Sequence, residues 1–315
     1  MKPDVLVVWP NRPKAMAELE QAYQVHHLWR AENPDELFAE VAPSIRAVVA
    51  SGERGPSAEM IDAMPKLEIV ATFGVGVDAT DREACKRRNI PISNTPDVLT
   101  EEVADMGLAL MLCVLRRIVQ GDRWVREGRW VREGSMPLSA TPRGRRLGII
   151  GFGRIGKAVA RRAEVLGMPV AYHSRTKQAD VAYTYHADPV SLARESDVLM
   201  LCTPGGAGTR KLVNAEVLAA LGPEGYLVNI ARGSVVDEEA LVEALASRKI
   251  AGAGLDVFAD EPNVPEALFP LDNVVLQPHA ASATVETRDA MAQLVVDNLA
   301  AHFAGKPLLT PVALG

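Results

Sequence analysis

The segment Gly151-Phe152-Gly153-Arg154-Ile155-Gly156 restricts what this chain can fold into more than any other. It follows the apolar run Leu147-Gly148-Ile149-Ile150 and leads into Lys157–Leu166, which reads as a helix. Between a strand and a helix, a first glycine permits the tight turn, a second lets a phosphate approach the backbone, and a third lets helix pack on strand. Gly151, Gly153 and Gly156 stand at those three places. The backbone N–H groups at a helix start attract an anionic group, so the segment, with Arg154 and Ile155 inside it, reads as the pyrophosphate site of a dinucleotide.

The rest of the chain repeats the strand–helix alternation of a parallel α/β protein. Val5–Trp9, Ala47–Ala50 and Ile69–Phe73 read as strands, with helical pieces at Glu36–Val41 and Ser57–Met64. Thr100-Glu101-Glu102 places a capping hydroxyl and two carboxylates at the start of a long apolar helix running to about Arg117. Strands at Arg146–Ile150, Pro169–His173, Val198–Cys202, Tyr226–Ile230 and Gly252–Val257 then predict a doubly wound sheet, closed by Val274–Gln277. A final helix, Val285–Phe303, is long enough to return to the first domain. The expected division is 1–99 plus 284–315 for one domain and 100–283 for the other.

Net charge is −6, from 34 basic and 40 acidic residues, which excludes a general positive field for nucleic acid. The arginine-rich stretch Arg116–Arg146 is interrupted by Asp122, Glu127 and Glu133 and reads as an exposed helix and subunit-contact loop. Three cysteines, Cys85, Cys113 and Cys202, form no C-x-x-C pair, so neither a disulfide framework nor a zinc site is expected, and a reducing cytoplasm fits. The apolar stretch Gly107–Leu115 stops short of a membrane span. A small-molecule partner is expected, with no metal, no nucleic acid and no membrane.

The end of the second strand of the doubly wound sheet selects the dinucleotide, because an NAD enzyme places Asp or Glu there for the ribose 2′-hydroxyl. Here stand His173-Ser174-Arg175-Thr176, and no carboxylate follows before Asp180. Ser174, Arg175 and Thr176 suit a 2′-phosphate. NADP(H) is favoured, with NAD(H) as the alternative.

Arg232, Glu261 and His279 each stand where a strand ends or a loop begins. With Gly74-Val75-Gly76-Val77-Asp78, Asn229-Ile230-Ala231-Arg232-Gly233, Gly254-Leu255-Asp256-Val257-Phe258, Glu261-Pro262 and Pro278-His279, they make nearly the whole chain resemble the D-isomer-specific 2-hydroxyacid dehydrogenases. The nearest branches are the NADP-dependent glyoxylate/hydroxypyruvate reductases and the hydroxyphenylpyruvate reductases. Leu99–Asp105 and Ser282–Arg288 carry that likeness, together with His173–Thr176.

The resemblance implies two Rossmann-like domains, a flavodoxin-like substrate domain formed by both chain ends and an inserted dinucleotide-binding domain. It implies a homodimer built through the inserted domain. The reaction is reduction of a 2-oxo acid to a D-2-hydroxy acid, with Arg232, Glu261 and His279 as catalytic residues. Arg232 holds carboxylate and carbonyl oxygen, His279 delivers the proton, and the Glu261 carboxylate favours the imidazolium. Val75, Gly76 and Arg288 contact substrate in this reading. Thr203, Pro204 and Ile230 line the cofactor, and Asp256 holds the nicotinamide carboxamide. A dinucleotide-sensing transcriptional corepressor shares the fold and is the reading from another class, and a bulkier 2-oxo acid such as hydroxyphenylpyruvate is the alternative within the family.

Overall fold

The computed structural model describes residues 2–314. The chain divides into two compact units, one made of Met1–Leu99 and Ala283–Gly315, the other of Thr100–Ser282. Chain return thus falls at Ala283, directly before the capping residue Thr284, which accepts from Thr287 N–H.

In the first unit, β1 (Asp4–Val7), α1 (Pro13–Ala22), β2 (Gln24–His27), α2 (Pro34–Val41), β3 (Ile45–Ser51), α3 (Ala58–Ala63), β4 (Ile69–Phe73), α4 (Arg82–Arg87) and β5 (Ile92–Ser93) follow one another. The strands pair in parallel in the order β2-β1-β3-β4-β5. That is a flavodoxin-like order. The inner strands β3 and β4 are nearly continuous apolar runs, as expected for parallel strands covered on both faces. Local chemistry starts the helices. Asn33, Ser57 and Asp81 accept from the N–H groups of Glu36, Met60 and Ala84, which satisfies donors that a helix N-terminus leaves orphaned.

The second unit runs through α5 (Thr100–Arg116), α6 (Ile118–Arg126), α7 (Arg129–Glu133), β6 (Leu147–Ile150), α8 (Arg154–Val165), β7 (Val170–His173), β8 (Thr184–His186), α9 (Pro189–Arg194) and β9 (Val198–Leu201). It continues with α10 (Ala215–Leu221), β10 (Tyr226–Asn229), α11 (Glu238–Ala246), β11 (Gly252–Leu255) and β12 (Val274–Leu276). Its seven parallel strands lie in the order β12-β11-β10-β9-β6-β7-β8. Counted from β6, this is the doubly wound arrangement, with the order reversing between β6 and β9, and ligands bind beyond the strand ends at such a reversal. Glycines let α5 lie close on the sheet: a Cβ on Gly107 would come within 2.8 Å of Ile230 Cδ1, and one on Gly254 within 3.0 Å of Leu110 Cβ.

The chain then returns to the first unit as α12 (Val285–Phe303). Val295 and Leu299 are buried there with Val5, Val7 and Leu19. Among the described residues no helix is long and apolar enough to cross a membrane.

Three strands and several helices go beyond the sequence reading. β2 is polar and lies on an edge, β5 has two residues, and β8 has three and is also an edge, so none carries a readable period. The helices α1, α4 and α9 likewise escape it, and the one helix expected within Arg116–Arg146 is two, α6 and α7. α8 opens at Arg154 rather than Lys157, because its first turn forms directly on Gly153. The helix α5 begins with Thr100 itself rather than with Thr100 as its cap.

Candidate active site

At the β6–β9 reversal, Gly151 adopts φ +93°, and a Cβ there would lie 2.5 Å from Thr203 N. Glycine is therefore dictated by the chain's own backbone. The same holds for Gly156, whose Cβ would meet Gly151 O at 2.3 Å. Gly153 differs. Its chain neighbours aside, no atom of the described residues lies within 4 Å of where its Cβ would be, and its φ is ordinary, so the surrounding chain does not require a glycine. Open space above a glycine at the start of α8, whose first-turn N–H groups lack intrahelical partners, fits a dinucleotide phosphate. Arg154 is exposed, Ile155 half-buried, and Thr203 and Pro204 follow β9 beside the glycine turn. Ile230 is buried at the end of β10, with its Cδ1 directed at Gly107 of α5.

Ser174, Arg175 and Thr176 leave the carboxyl end of β7. Ser174 Oγ donates to Thr176 O at 2.8 Å. The exposed Arg175 guanidinium has no hydrogen-bond or ion-pair partner among the described residues.

Arg232, Glu261 and His279 belong to the loops after β10, β11 and β12, which are neighbouring strands. The His279 Nδ1–H donates to Glu261 Oε2 at 2.6 Å, and Glu261 Oε1 accepts the Phe258 N–H at 2.9 Å. Because Nδ1 is committed to the carboxylate, Nε2 is the ring nitrogen placed to exchange a proton with a ligand. Burial works to raise the Glu261 carboxyl, but the His279 hydrogen bond, the Phe258 N–H and the charges of His279 and Arg232 together bring it below its ordinary value. Glu261 is thus ionised at neutral pH. Arg232 donates to Ala231 O at 2.7 Å while remaining close enough to act on Glu261.

Several residues hold this trio in place. The Asn229 side chain, buried at the end of β10, accepts from Ala231 N–H and donates to Arg232 O, both at 3.0 Å. Asp256 is fully buried, and its carboxylate oxygens accept from Ala280 N–H at 2.8 Å and Ala281 N–H at 3.0 Å. Its backbone oxygen accepts from His279 N–H. Burial raises the Asp256 carboxyl, and the two backbone N–H groups oppose that. Held this way, His279 adopts φ +50°, which is sparsely populated outside glycine and costs about 1–3 kcal/mol. The Asp256 carboxylate thus braces the His279 loop.

Val75 and Gly76 follow β4 in the first unit, and Val75 is 39% exposed. Gly74 turns the chain with φ +136°, its N–H donating to Thr95 Oγ1, and Asn94 Nδ2 donates to Val75 O. Arg288, in the first turn of α12, stands 5.4 Å over the Phe73 ring at the end of β4. The structure therefore gathers these three residues at one strand end.

The family model for the NAD-binding domain of D-isomer specific 2-hydroxyacid dehydrogenases matches residues 108–281. The chain belongs to this family. It is 50% identical to hydroxyphenylpyruvate reductase of Plectranthus scutellarioides and 48% identical to glyoxylate/hydroxypyruvate reductase A of Arabidopsis thaliana, each over 308 residues and 98% of both chains. Among solved structures, it superposes on the NADPH-dependent glyoxylate/hydroxypyruvate reductase of Sinorhizobium meliloti in complex with NADP and malonate. That match has a TM-score of 0.92 and 47% identity, and covers 100% of this chain and 98% of the other.

In this dehydrogenase the loops of Arg232 and Glu261 meet through Gly233, which the sequence reading passed over. A Cβ on Gly233 would lie 1.9 Å from Phe258 C and 2.3 Å from Ala259 N. Backbone cannot swing away as a side chain can. Gly233→Ala is therefore expected to destabilise the second unit by about 1–3 kcal/mol or more. Urea unfolding followed by Trp124 and Trp130 fluorescence checks this, and unchanged stability would mean that the two loops part freely.

Proposed function

We propose that this dehydrogenase reduces a small 2-oxo acid, glyoxylate or hydroxypyruvate, to the D-2-hydroxy acid with NADPH. The observation that carries the reading is the Glu261–His279 pair beside Arg232, in the same unit as the glycine turn. The S. meliloti relative, described as an NADPH-dependent glyoxylate/hydroxypyruvate reductase, supports it. A bound NADPH supplies the hydride. Arg232 takes the substrate carboxylate and draws charge toward the carbonyl oxygen, and His279 Nε2–H gives that oxygen its proton. Glu261 keeps the imidazole protonated and oriented, and Asp256, which braces the His279 loop, is proposed to hold the nicotinamide carboxamide. For the first unit, the proposal is that Val75 and Gly76 offer backbone N–H groups and Arg288 a guanidinium to the substrate.

At the cofactor, Gly151, Gly153, Arg154, Ile155 and Gly156 hold the pyrophosphate in this proposal, with Thr203, Pro204 and Ile230 along the dinucleotide. Ser174, Arg175 and Thr176 hold the 2′-phosphate. A bulkier substrate is the second reading, favoured by the 50% identical hydroxyphenylpyruvate reductase. Initial rates with glyoxylate, hydroxypyruvate and hydroxyphenylpyruvate, each with NADPH and NADH, separate the two. The highest kcat/KM is expected for a small acid with NADPH. Arg175→Asp should raise KM for NADPH strongly and leave NADH nearly untouched, since it sets a carboxylate against the phosphate. A wild-type preference for NADH overturns the cofactor assignment.

Acid–base roles make a separate forecast. His279→Ala should lower kcat by about 10²–10⁴, the usual contribution of a positioned acid. In Glu261→Gln the imidazolium loses a neighbouring negative charge and gives up its proton at lower pH. Reduction needs the protonated form, so the limb on which its rate falls with rising pH should move to lower pH. A limb that stays put or moves upward means that the proton comes from another group.

We also propose a two-fold homodimer formed through the second unit, in the cytoplasm. Ile118, Val125, Trp130, Val131 and Leu138 are exposed apolar side chains on or just beyond α6 and α7, more than a lone surface patch of this size favours. Three free cysteines accord with a reducing compartment, and burial pushes Cys85 up to about 11. Light scattering should give a mass near twice 33.9 kDa, and a fully active monomer counts against the dimer.

A further inference from the structure

Between β7 and β8 the loop Ser174–Tyr183 is irregular apart from one turn at Ala179–Asp180. Its order comes from side chains. Ser174 Oγ bridges to Thr176 O, Tyr185 Oη–H donates to Ser174 O at 3.3 Å, and Gln178 is fastened twice. Gln178 N–H donates to Tyr172 Oη at 3.0 Å, and Gln178 Nε2–H donates to Phe152 O at 2.6 Å.

Both anchors are rigid. Tyr172 and Phe152 are 0% and 2% exposed, with ring centroids 4.4 Å apart, and Tyr183 and Tyr185 extend the aromatic cluster. Phe152 belongs to the glycine turn, so a single side chain ties the loop bearing Arg175 to the loop facing the pyrophosphate. Arg175 itself has no side-chain partner among the described residues, so the backbone that Gln178 fixes decides where its guanidinium stands.

We propose that Gln178 is a specificity-determining positioning residue: it holds Ser174–Thr176 ready for a 2′-phosphate, and so contributes to preference for NADP(H) without touching the dinucleotide. The inference rests on the cofactor reading given above. Ordering a loop before binding spares the entropy that binding would otherwise cost. The benefit falls on the ligand group that the loop contacts. NAD lacks that phosphate and gains little from an ordered loop.

Isothermal titration of NADP⁺ and NAD⁺ into the full-length protein tests this directly. Gln178→Met keeps the length of the side chain and removes the donor to Phe152 O. It should weaken NADP⁺ about fivefold, within the worth of one or two hydrogen bonds, and NAD⁺ less than about twofold. Tyr172→Phe removes the other fastening while keeping the packed ring, and should move the NADP⁺/NAD⁺ ratio the same way. In an Arg175→Ala background, Gln178→Met should change that ratio much less, because the charged group being positioned is gone and only the Ser174 and Thr176 contacts remain. A general structural role would weaken both dinucleotides alike and would do so equally in the Arg175→Ala background. Either result overturns the inference, as does a Gln178→Met protein with unchanged affinities. A wild type that binds NAD⁺ as tightly as NADP⁺ overturns the cofactor reading, and the role of Gln178 with it.

Discussion

A carboxylate taken out of water costs several kcal/mol unless N–H groups meet it, and at the end of β11 Asp256 meets that demand with the two N–H groups that follow His279. The consequence runs outward. Because the Ala280 and Ala281 amides are spoken for, the loop after β12 has one backbone path, and His279 is forced into its left-handed conformation. The Nδ1–H then meets Glu261, whose second oxygen is fixed by Phe258 N–H. Phe258 is in turn the residue on which Gly233 rests, and Arg232 precedes Gly233. Three loops from adjacent strands are thus locked by one buried acid, one glycine and one asparagine.

This division of labour separates groups that react from groups that place them. Glu261, the carboxylate set beside the histidine, is partly exposed and held ionised; Asp256, the carboxylate set under it, is closed off and pushed the other way by burial. Two acids five residues apart in sequence therefore have opposite electrostatic settings. Their environments, not their residue types, make the distinction.

The glycine turn was fully legible in the sequence because its determinants are local: a short apolar run, three glycines at fixed spacing and a helix. The parallel strands β3, β4, β6, β9 and β10 were legible for a similar reason, since buried strands are continuously apolar. Arg232, Glu261 and His279 could be placed at strand ends by eye, but their assembly required the family resemblance. What stayed hidden is non-local. Gly233 is explained only by Phe258, 25 positions on, and Gln178 only by Phe152, 26 positions back. The bracing role of Asp256 is equally hidden, because its two backbone partners lie beyond the next strand. Asn229 did carry a signal that went unread: a polar amide at the end of a buried strand must find partners nearby.

The return of α12 to the first sheet has a further consequence, for the order in which the molecule is made. Leu299 packs with Val5, so the first unit starts to emerge from the ribosome before the inserted unit and completes its core only after it. At about 5–20 residues per second, synthesis of the 294 residues separating those two positions takes roughly 15–60 s. The inserted unit emerges whole inside that interval, with its strands contiguous in the chain. The unit that starts first must therefore wait, with the apolar faces of β1 and β4 lacking their helix, while the unit that starts second can fold to completion. Until α12 emerges, a nascent chain of this topology carries an uncovered apolar sheet face.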